Sequence, residues 1–177
     1  MTPLTRDEIM LAAEDVLRRH GPAKANVVDV ARALNVSHGS VYRHFPSKLA
    51  LREAVTCRWL EQAHAGLAEI AAEDAPKEDR LRRWLHRLHE AKRRKAYDDP
   101  ELFATYQALL GETAGVAEQH VQEIRDQLTQ ILGDEATATA VFHATLRFHH
   151  PVHAREWAQE GTHEELDRVI DLLVKGL

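Results

Sequence analysis

The residues around position 40 have side chains that could contact a nucleic acid. The spacing predicts a short helix from His38 to about His44, with Val41 and Phe45 facing inward. The other positions form an outer face of small, polar, basic and aromatic residues, which are His38, Gly39, Ser40, Tyr42, Arg43 and His44. A short helix with one buried seam and such a face is typical of elements that read base edges in the major groove. We expect base contacts from His38, Ser40 and Arg43, and a close approach at Gly39.

Lys48 is predicted to lie in the first turn of the next helix, which Ser47 caps after Pro46 ends the preceding one. A cation is unfavourable at the N-terminus of a helix, because the helix dipole is positive there. We therefore expect the ammonium of Lys48 to have another partner, and a phosphate of a nucleic-acid backbone is our prediction.

A second group of reactive side chains lies between Phe142 and His153. It contains His143, Arg147, His149, His150 and His153. His149 and His153 are four residues apart, and two imidazoles at that spacing on a helix can hold a divalent metal. Pro151 lies between them and kinks a helix, which moves His153 off that register. Three interpretations stay open: structural or interface histidines, part of an effector pocket, or a metal site.

Aromatic residues at helical spacing could line a small-molecule cavity in the C-terminal part of the chain. A mostly apolar cavity with a few polar anchors suits an amphipathic molecule. The candidates for this effector site are Trp84, Phe103, Tyr106, Phe142, His143, Arg147 and His150. The alternative is that these aromatic residues form an ordinary core.

A helix predicted from Lys77 to about Ala96 has an apolar side and a strongly basic side. The basic side contains Arg82, Arg83, Arg87, Lys92, Arg93, Arg94 and Lys95. We interpret it as a solvent-exposed face. A second contact with nucleic acid is the alternative, because phosphates attract any basic stripe.

Enzyme signatures are absent from the sequence. It has no Gly-rich phosphate loop, no GxSxG elbow and no HExxH motif. Cys57 is the single cysteine, which rules out an intrachain disulfide and a multi-cysteine zinc site. We predict that the chain is not an enzyme and requires no cofactor, with a divalent metal at the histidines as the alternative.

Helices must position these groups, and the pattern predicts an all-α fold of about nine helices without strand-like alternation. Thr5 begins a capping box for the first helix. Asn26 caps the second helix, and the turn 35–37 leads into the third. These three helices form a predicted N-terminal head, residues 1–46, which we assign to DNA binding. Residues 47–177 are assigned to a helical-bundle body that binds an effector and forms a dimer.

The predicted body begins with one long helix from Ser47 to about Ala72. It ends with two helices, about Glu135 to Ala158 and His163 to Lys175. Two amphipathic helices from each subunit could form a four-helix bundle about a two-fold axis. Small residues along 136–145 would permit close approach. The alternative is an ordinary packing face within one chain.

The charges are divided unevenly along the chain. The 177 residues have a net charge of −5, yet residues 1–58 hold nine Lys/Arg and six Asp/Glu, which leaves a net −8 on the remainder. A basic end on an acidic body is typical of a small DNA-contacting head. The sequence contains no apolar run of about 18 residues, so no membrane span is predicted, and the N-terminus lacks a signal-peptide pattern. We expect a cytoplasmic protein.

The segments DVARALNVSHGS and VYRHFPSKLAL resemble the signature of TetR-family transcriptional repressors. The resemblance implies all-helical homodimers that bind a palindromic double-stranded DNA operator and are released by a small effector in the body. It also implies that Tyr42, His44 and Lys48 hold phosphates. The full expected DNA-binding set is Asn26, Val27, Ser37, His38, Gly39, Ser40, Tyr42, Arg43, His44 and Lys48. Two rival hypotheses are a histidine-based metal-responsive regulator with the same head, and a helical ligand-binding module without DNA affinity.

Overall fold

The computed structural model describes residues 3–22 and 26–177. Within these ranges no residue forms a strand, and the predicted all-α class is confirmed. The α-helices are α1 (Arg6–His20), α2 (Val27–Ala33), α3 (His38–Tyr42), α4 (Lys48–Ala63), α5 (Leu67–Ala72), α6 (Lys77–Asp98), α7 (Pro100–Glu112), α8 (Ala114–Leu132), α9 (Glu135–Ala144) and α10 (Thr162–Val174), and two 3-10 helices cover Leu146–Phe148 and Pro151–Glu156. None of these helices combines the length and the apolar composition that a membrane crossing requires.

The chain divides into two compact units. Unit 1 consists of residues 1–61 and 99–118, and unit 2 consists of residues 62–98 and 119–177. Each unit has its own hydrophobic core among the described residues. We describe the two units separately.

Unit 1 is organised by its helix caps. The capping box of α1 is present, because Thr5 Oγ1 accepts a hydrogen bond from the Glu8 amide and the Glu8 carboxylate accepts one from the Thr5 amide. Asn26 Oδ1 caps α2 by accepting from the amides of residues 28 and 29. These caps satisfy backbone donors that have no partner inside a helix. They confirm the predicted starts of both helices.

Helix α7 adds two aromatic residues to the core of unit 1. The ring of Tyr106 stacks on that of Trp59, with a centroid distance of 4.4 Å. Phe103 packs at 6.3 Å from the same indole. Burial of Tyr106 raises the pKa of its phenol. Both effector candidates of α7 therefore contribute to a packed aromatic core in this unit.

The long helix predicted over residues 47–72 is wrong, because the chain breaks it at residues 64–66. Gly66 has a φ of +89°, in the left-handed region, and separates α4 from α5. The guanidinium of Arg87 donates a hydrogen bond to the carbonyl of Ala65 at 2.9 Å and so satisfies an acceptor that the helix leaves open. This break is one reason why ten α-helices are found where about nine were predicted.

Substitution of Gly66 by alanine is expected to lower the free energy of unfolding by about 1 kcal/mol, because a side chain disfavours a positive φ. The added Cβ would meet only ordinary contacts with Arg87, so the cost is one of backbone conformation. Urea denaturation followed by circular dichroism measures it. Gly111→Ala in α7 is the control and should raise stability slightly, since Gly111 is helical with open space around it. A stabilised Gly66→Ala would contradict the break.

The predicted helix 135–158 is also wrong, since α9 ends at Ala144. Thr145 Oγ1 donates to the carbonyl of Val141 at 2.8 Å, and two 3-10 helices follow instead of further α-helical turns. Pro151 has no amide hydrogen to continue a helix. The indole of Trp157 donates to the carbonyl of Arg147 at 2.8 Å and holds the segment back on itself. Residues 145–157 thus form a compact irregular connection.

Candidate functional site

The helix-turn-helix of unit 1 is built by local hydrogen bonds and one buried seam. Asn35 adopts a φ of +54°, which turns the chain after α2. Ser37 Oγ then accepts a hydrogen bond from the Ser40 amide at 3.2 Å and caps α3. Val41 and Phe45 are buried, so the other side of α3 must face outward.

The outer side of α3 brings together most of the predicted contact residues. His38, Gly39, Tyr42 and Arg43 are exposed, and Lys48 is exposed at the start of α4. Tyr42 keeps 43% of its surface exposed, and its ring meets the ring of His38 edge-on at 6.3 Å. This places two aromatic hydrogen-bonding groups and two cations on one surface.

That surface carries positive charge without compensating carboxylates. No Asp or Glu occurs between positions 30 and 52 of the sequence, a stretch that contains four Arg or Lys. Arg32 pairs with Asp29 at 3.0 Å, and Arg52 is buried in a pair with Glu112. Arg43 and Lys48 form no ion pair within the described residues. Their charges are available to an anionic partner such as a nucleic-acid phosphate.

Three predicted contact residues are used structurally. The Asn26 side chain caps α2, and its Nδ2 also donates to Asp29 at 2.6 Å. Val27 is only 2% exposed, so its side chain lies in the core and only its backbone could face a ligand. Ser37 Oγ is shared between the Ser40 amide and the Ser40 hydroxyl. These three residues stabilise the local backbone, whereas the side chains exposed to a DNA ligand belong to α3 and Lys48.

Arg6 supports the end of α3 and was not singled out from the sequence. Its guanidinium donates to the carbonyl of His44 at 2.7 Å and lies 4.2 Å from the centroid of the Phe45 ring. The long-range contact links the first turn of α1 to the end of α3. The capping pattern around Thr5 did not indicate it, because the partner lies 38 residues away.

The remaining effector candidates lie in unit 2 and have diverse surroundings. Trp84 is fully buried, and its indole donates to Gln127 at 2.9 Å. Phe142 is buried, whereas His143 and His150 are exposed. Arg147 pairs with Glu156 and with Glu165, each at 2.8 Å. A cavity of about 260 Å³ in this unit is lined instead by residues 89, 90, 93, 157–159 and 161–164.

The two metal candidates of the sequence have different partners. Nε2 of buried His149 lies 3.3 Å from Thr145 Oγ1, and Nδ1 of His153 lies 3.0 Å from Glu156. In the described chain, three potential ligand atoms converge only at His86, His163 and Asp167, within 4.8 Å of one another. The guanidinium of Arg82 lies 3.4 Å from Asp167 Oδ1. Its positive charge disfavours a metal cation at this position.

Four basic residues of unit 2 form what we call the basic cluster: His89, Lys92 and His149, which are buried, and His120, which is partly buried. Lys92 was predicted on a solvated face, yet it is only 7% exposed. Burial lowers the pKa of Lys92 to about 8. Burial, followed by the charge of Lys92, lowers the pKa of His120 and of His149 to about 3. The imidazoles of His120 and His149 therefore lie within reach of the charge of one desolvated ammonium.

Comparisons with known proteins agree with this arrangement. The family described as "Bacterial regulatory proteins, tetR family" matches residues 9–55. The family described as "Tetracyclin repressor-like, C-terminal domain" matches residues 77–170. The HTH-type transcriptional regulator CymR of Pseudomonas putida is 40% identical over 75 residues, which are 40% of this chain and 36% of CymR. The match thus spans about a third of the length of that curated relative.

Solved structures share the fold over nearly the whole chain. BioQ, solved with its double-stranded DNA operator, has a TM-score of 0.58 at 24% identity and covers 96% of this chain and 98% of its own. NalD, the secondary repressor of the MexAB-OprM efflux pump in Pseudomonas aeruginosa, has a TM-score of 0.59 at 18% identity and covers 97% of this chain and 95% of its own. With an N-terminal helix-turn-helix and a helical C-terminal part that each match a family model, this chain belongs to the TetR family of bacterial regulatory proteins.

Proposed function

We propose that this protein is a DNA-binding transcriptional repressor that recognises a palindromic operator as a homodimer and is released by a small effector. The observation that carries the proposal is the exposed surface formed by α3 and the start of α4, where Arg43 and Lys48 have no ion pair within the described residues. A regulator of this kind acts where the chromosome is, in the cytoplasm. It needs no catalytic group and no cofactor to bind DNA.

The residues divide into two roles. His38, Ser40 and Arg43 are proposed to contact base edges, because none of them belongs to the buried seam of Val41 and Phe45. Tyr42, His44 and Lys48 are proposed to hold phosphates, with Asn26, Val27, Ser37 and Gly39 shaping the backbone approach. Phosphate contacts set register and salt dependence, whereas base contacts set the preferred sequence. BioQ, with its operator, shows that a similar fold engages double-stranded DNA.

Dimerisation is proposed through α9 and α10. On α9 the small residues Ala136, Ala140 and Ala144 are exposed along one face. On α10 Leu172 is 70% exposed, which is unusual for a large apolar side chain in a monomer. Two such helices per subunit would form a two-fold interface. Residues 1–46 then serve as the DNA-binding part, and residues 47–177 as the effector-binding and dimerising part.

An effector acts through the difference between its affinities for the DNA-competent and the DNA-incompetent state of the protein. A molecule that binds the DNA-incompetent state more tightly lowers operator affinity by that difference and by no more. The seven effector candidates of the sequence remain a prediction, with the Phe103 and Tyr106 side chains placed in the core of unit 1. The metal-responsive alternative would need His149 and His153 to act together.

Fluorescence anisotropy on the protein's own upstream intergenic DNA, across a salt series, tests the proposed function. Lys48→Ala should weaken binding and reduce the slope of log affinity against log salt by about one, because one phosphate contact is lost. Tyr42→Ala should weaken binding through the loss of a phosphate hydrogen bond. Arg155→Ala, in the second 3-10 helix of unit 2, also removes one positive charge but lies outside the helix-turn-helix, so it should leave the slope unchanged.

Weak binding that is equal on any DNA and identical in all variants would contradict the phosphate assignments. If selection from random DNA also yielded no preferred site, the ligand-binding module without DNA affinity would replace the repressor. A divalent metal that changes the affinity, with a response lost in His149→Ala, would instead favour the metal-responsive regulator.

A further inference from the structure

Lys92 is a buried cation with no counter-charge. It lies on the packed side of α6, on the same face as His89 and Leu88, and is 7% exposed. Within the described residues it makes no hydrogen bond and no ion pair. A buried ammonium without a partner is costly, and such groups are found preferentially at functional sites.

The imidazoles around Lys92 come from separate elements of unit 2. His120 lies on α8, and His149 follows the first 3-10 helix. The charge of Lys92 acts on both rings. Nε2 of His120 is buried without a hydrogen-bond partner among the described residues. The ammonium of Lys92 and this imidazole nitrogen therefore both lack hydrogen-bond partners among the described residues.

Carboxylates do not balance this charge. Among the described residues, Glu90 is the one carboxylate whose charge affects the pKa of a cluster member, namely His89. Its own carboxylate is already held by Arg93, at 2.9 Å and 3.1 Å. Ordinary core packing does not require a lysine at this position, because a methionine would fill a similar volume without a charge. A buried lysine without a carboxylate partner is instead suited to an ion pair with an anion that is not part of the chain.

Aromatic rings lie beside the basic cluster. The ring centroid of Phe142 is 5.2 Å from that of His149, and the centroid of Phe148 is 6.1 Å from that of His89. One full positive charge with one neutral imidazole donor matches a monovalent anion better than a multivalent one, which costs more to desolvate. The rings offer an apolar surface to the rest of such a molecule.

We propose that the basic cluster binds the carboxylate of a small organic acid, whose apolar part lies against Phe142 and Phe148. Lys92 would supply the ion pair, and Nε2 of His120, which has no partner among the described residues, would supply a hydrogen-bond donor. That this acid is the effector rests on the proposed function. The binding site itself does not depend on it.

Isothermal titration of the full-length protein at pH 7 tests the site without DNA. The probes are acetate, hexanoate and phenylacetate, with hexanamide and phenylacetamide as neutral counterparts. The acids with an apolar part should bind more tightly than acetate, and the amides should bind far more weakly. Lys92→Met should reduce the affinity for the acids about 10- to 100-fold, since a charge-assisted hydrogen bond is lost. Lys95→Met on the same helix should bind like the wild type.

The affinity should also fall as the pH rises through the pKa of Lys92, about 8. Between pH 7 and pH 8.5 the protonated fraction falls roughly fourfold, and the affinity should fall by the same factor. Burial lowers the pKa of His89, His120, His149 and His150, so these four rings are neutral throughout that window. The other charged or titratable groups beside the cluster are His64, with its ring centroid 4.2 Å from that of His120, and His163, Glu90 and Arg93, which act on His89.

The outcomes separate the two proposals. No binding of any of the three acids, binding of acids and amides alike, or equal binding by Lys92→Met would each overturn the anion site. Acids that bind through Lys92 but leave DNA affinity unchanged would support the site and refute its role as the effector site. Acids that bind through Lys92 in a protein without DNA affinity would support the site and refute the proposed function.

Discussion

Lys92→Met is expected to raise the free energy of unfolding at pH 7 by about 3 kcal/mol. The pKa of Lys92 falls from 10.5 to about 8 because the folded chain desolvates its ammonium. Each pKa unit corresponds to about 1.4 kcal/mol of preference for the neutral form. Methionine has a similar shape and no charge, so this penalty disappears. A repressor would retain such a destabilising residue if the residue binds its effector.

The direction of the pKa shift of Lys92 determines how the stability difference between Lys92→Met and the wild type changes with pH. A base whose folded pKa is lowered destabilises the fold fully below that pKa, and the penalty vanishes above the unfolded pKa of 10.5. The difference between Lys92→Met and the wild type should therefore be constant below pH 8 and shrink as the pH rises towards 10.5. Urea denaturation at pH 7 and pH 10 measures it, with Lys95→Met as the control. An unchanged or reduced stability of Lys92→Met at pH 7 would show that Lys92 is solvated or paired.

Acid should destabilise the protein through two buried imidazoles, by about 3 kcal/mol between pH 7.5 and pH 5.5. Burial lowers the pKa of His120 and of His149 from 6.5 to about 3. The unfolded chain binds protons at these positions below pH 6.5 and the folded chain does not. The contribution of these two neutral rings to the free energy of unfolding is thus fully present above pH 6.5 and is lost as the pH falls towards 3.

The double variant His120→Gln/His149→Gln should lose this part of the pH dependence, and each single variant about half of it. Urea denaturation at the two pH values gives the difference between variant and wild type, which removes the contribution of His89 and the other histidines. His143→Gln changes a solvent-exposed ring on α9 and serves as the control. Identical slopes in the double variant and the wild type would mean that neither ring is desolvated.

The head of the protein was predictable because its determinants are local. The side chains of Asn26 and Ser37 cap the helices that follow them directly, and Asn35 adopts the left-handed turn that its side chain tolerates. Val41 and Phe45 are buried as their spacing predicts. What local pattern did not indicate is the contact of Arg6 with His44, since its partner lies on another helix.

The body was predicted less well because its helix ends depend on distant groups. The break at Gly66 is stabilised by Arg87 from α6, and Trp157 holds the 3-10 segment through the carbonyl of Arg147. A single glycine in an apolar pattern is compatible with a continuous helix at a modest cost, so hydrophobic spacing favours continuity. Likewise, Pro151 predicted a kink and not the loss of the helix from Thr145 onward.

The sequence by itself determined the all-α class, the helix-turn-helix with its exposed basic face, and the resemblance to the family that the comparisons established. These features depend on caps, turn residues and side-chain period, which act within a few residues of the chain. Only the tertiary structure decided that Lys92 is buried and that His120 and His149 lie beside it. The three residues lie on separate elements, and a lysine on a mostly basic helix face gives no local sign of burial, because burial is a property of what packs against it.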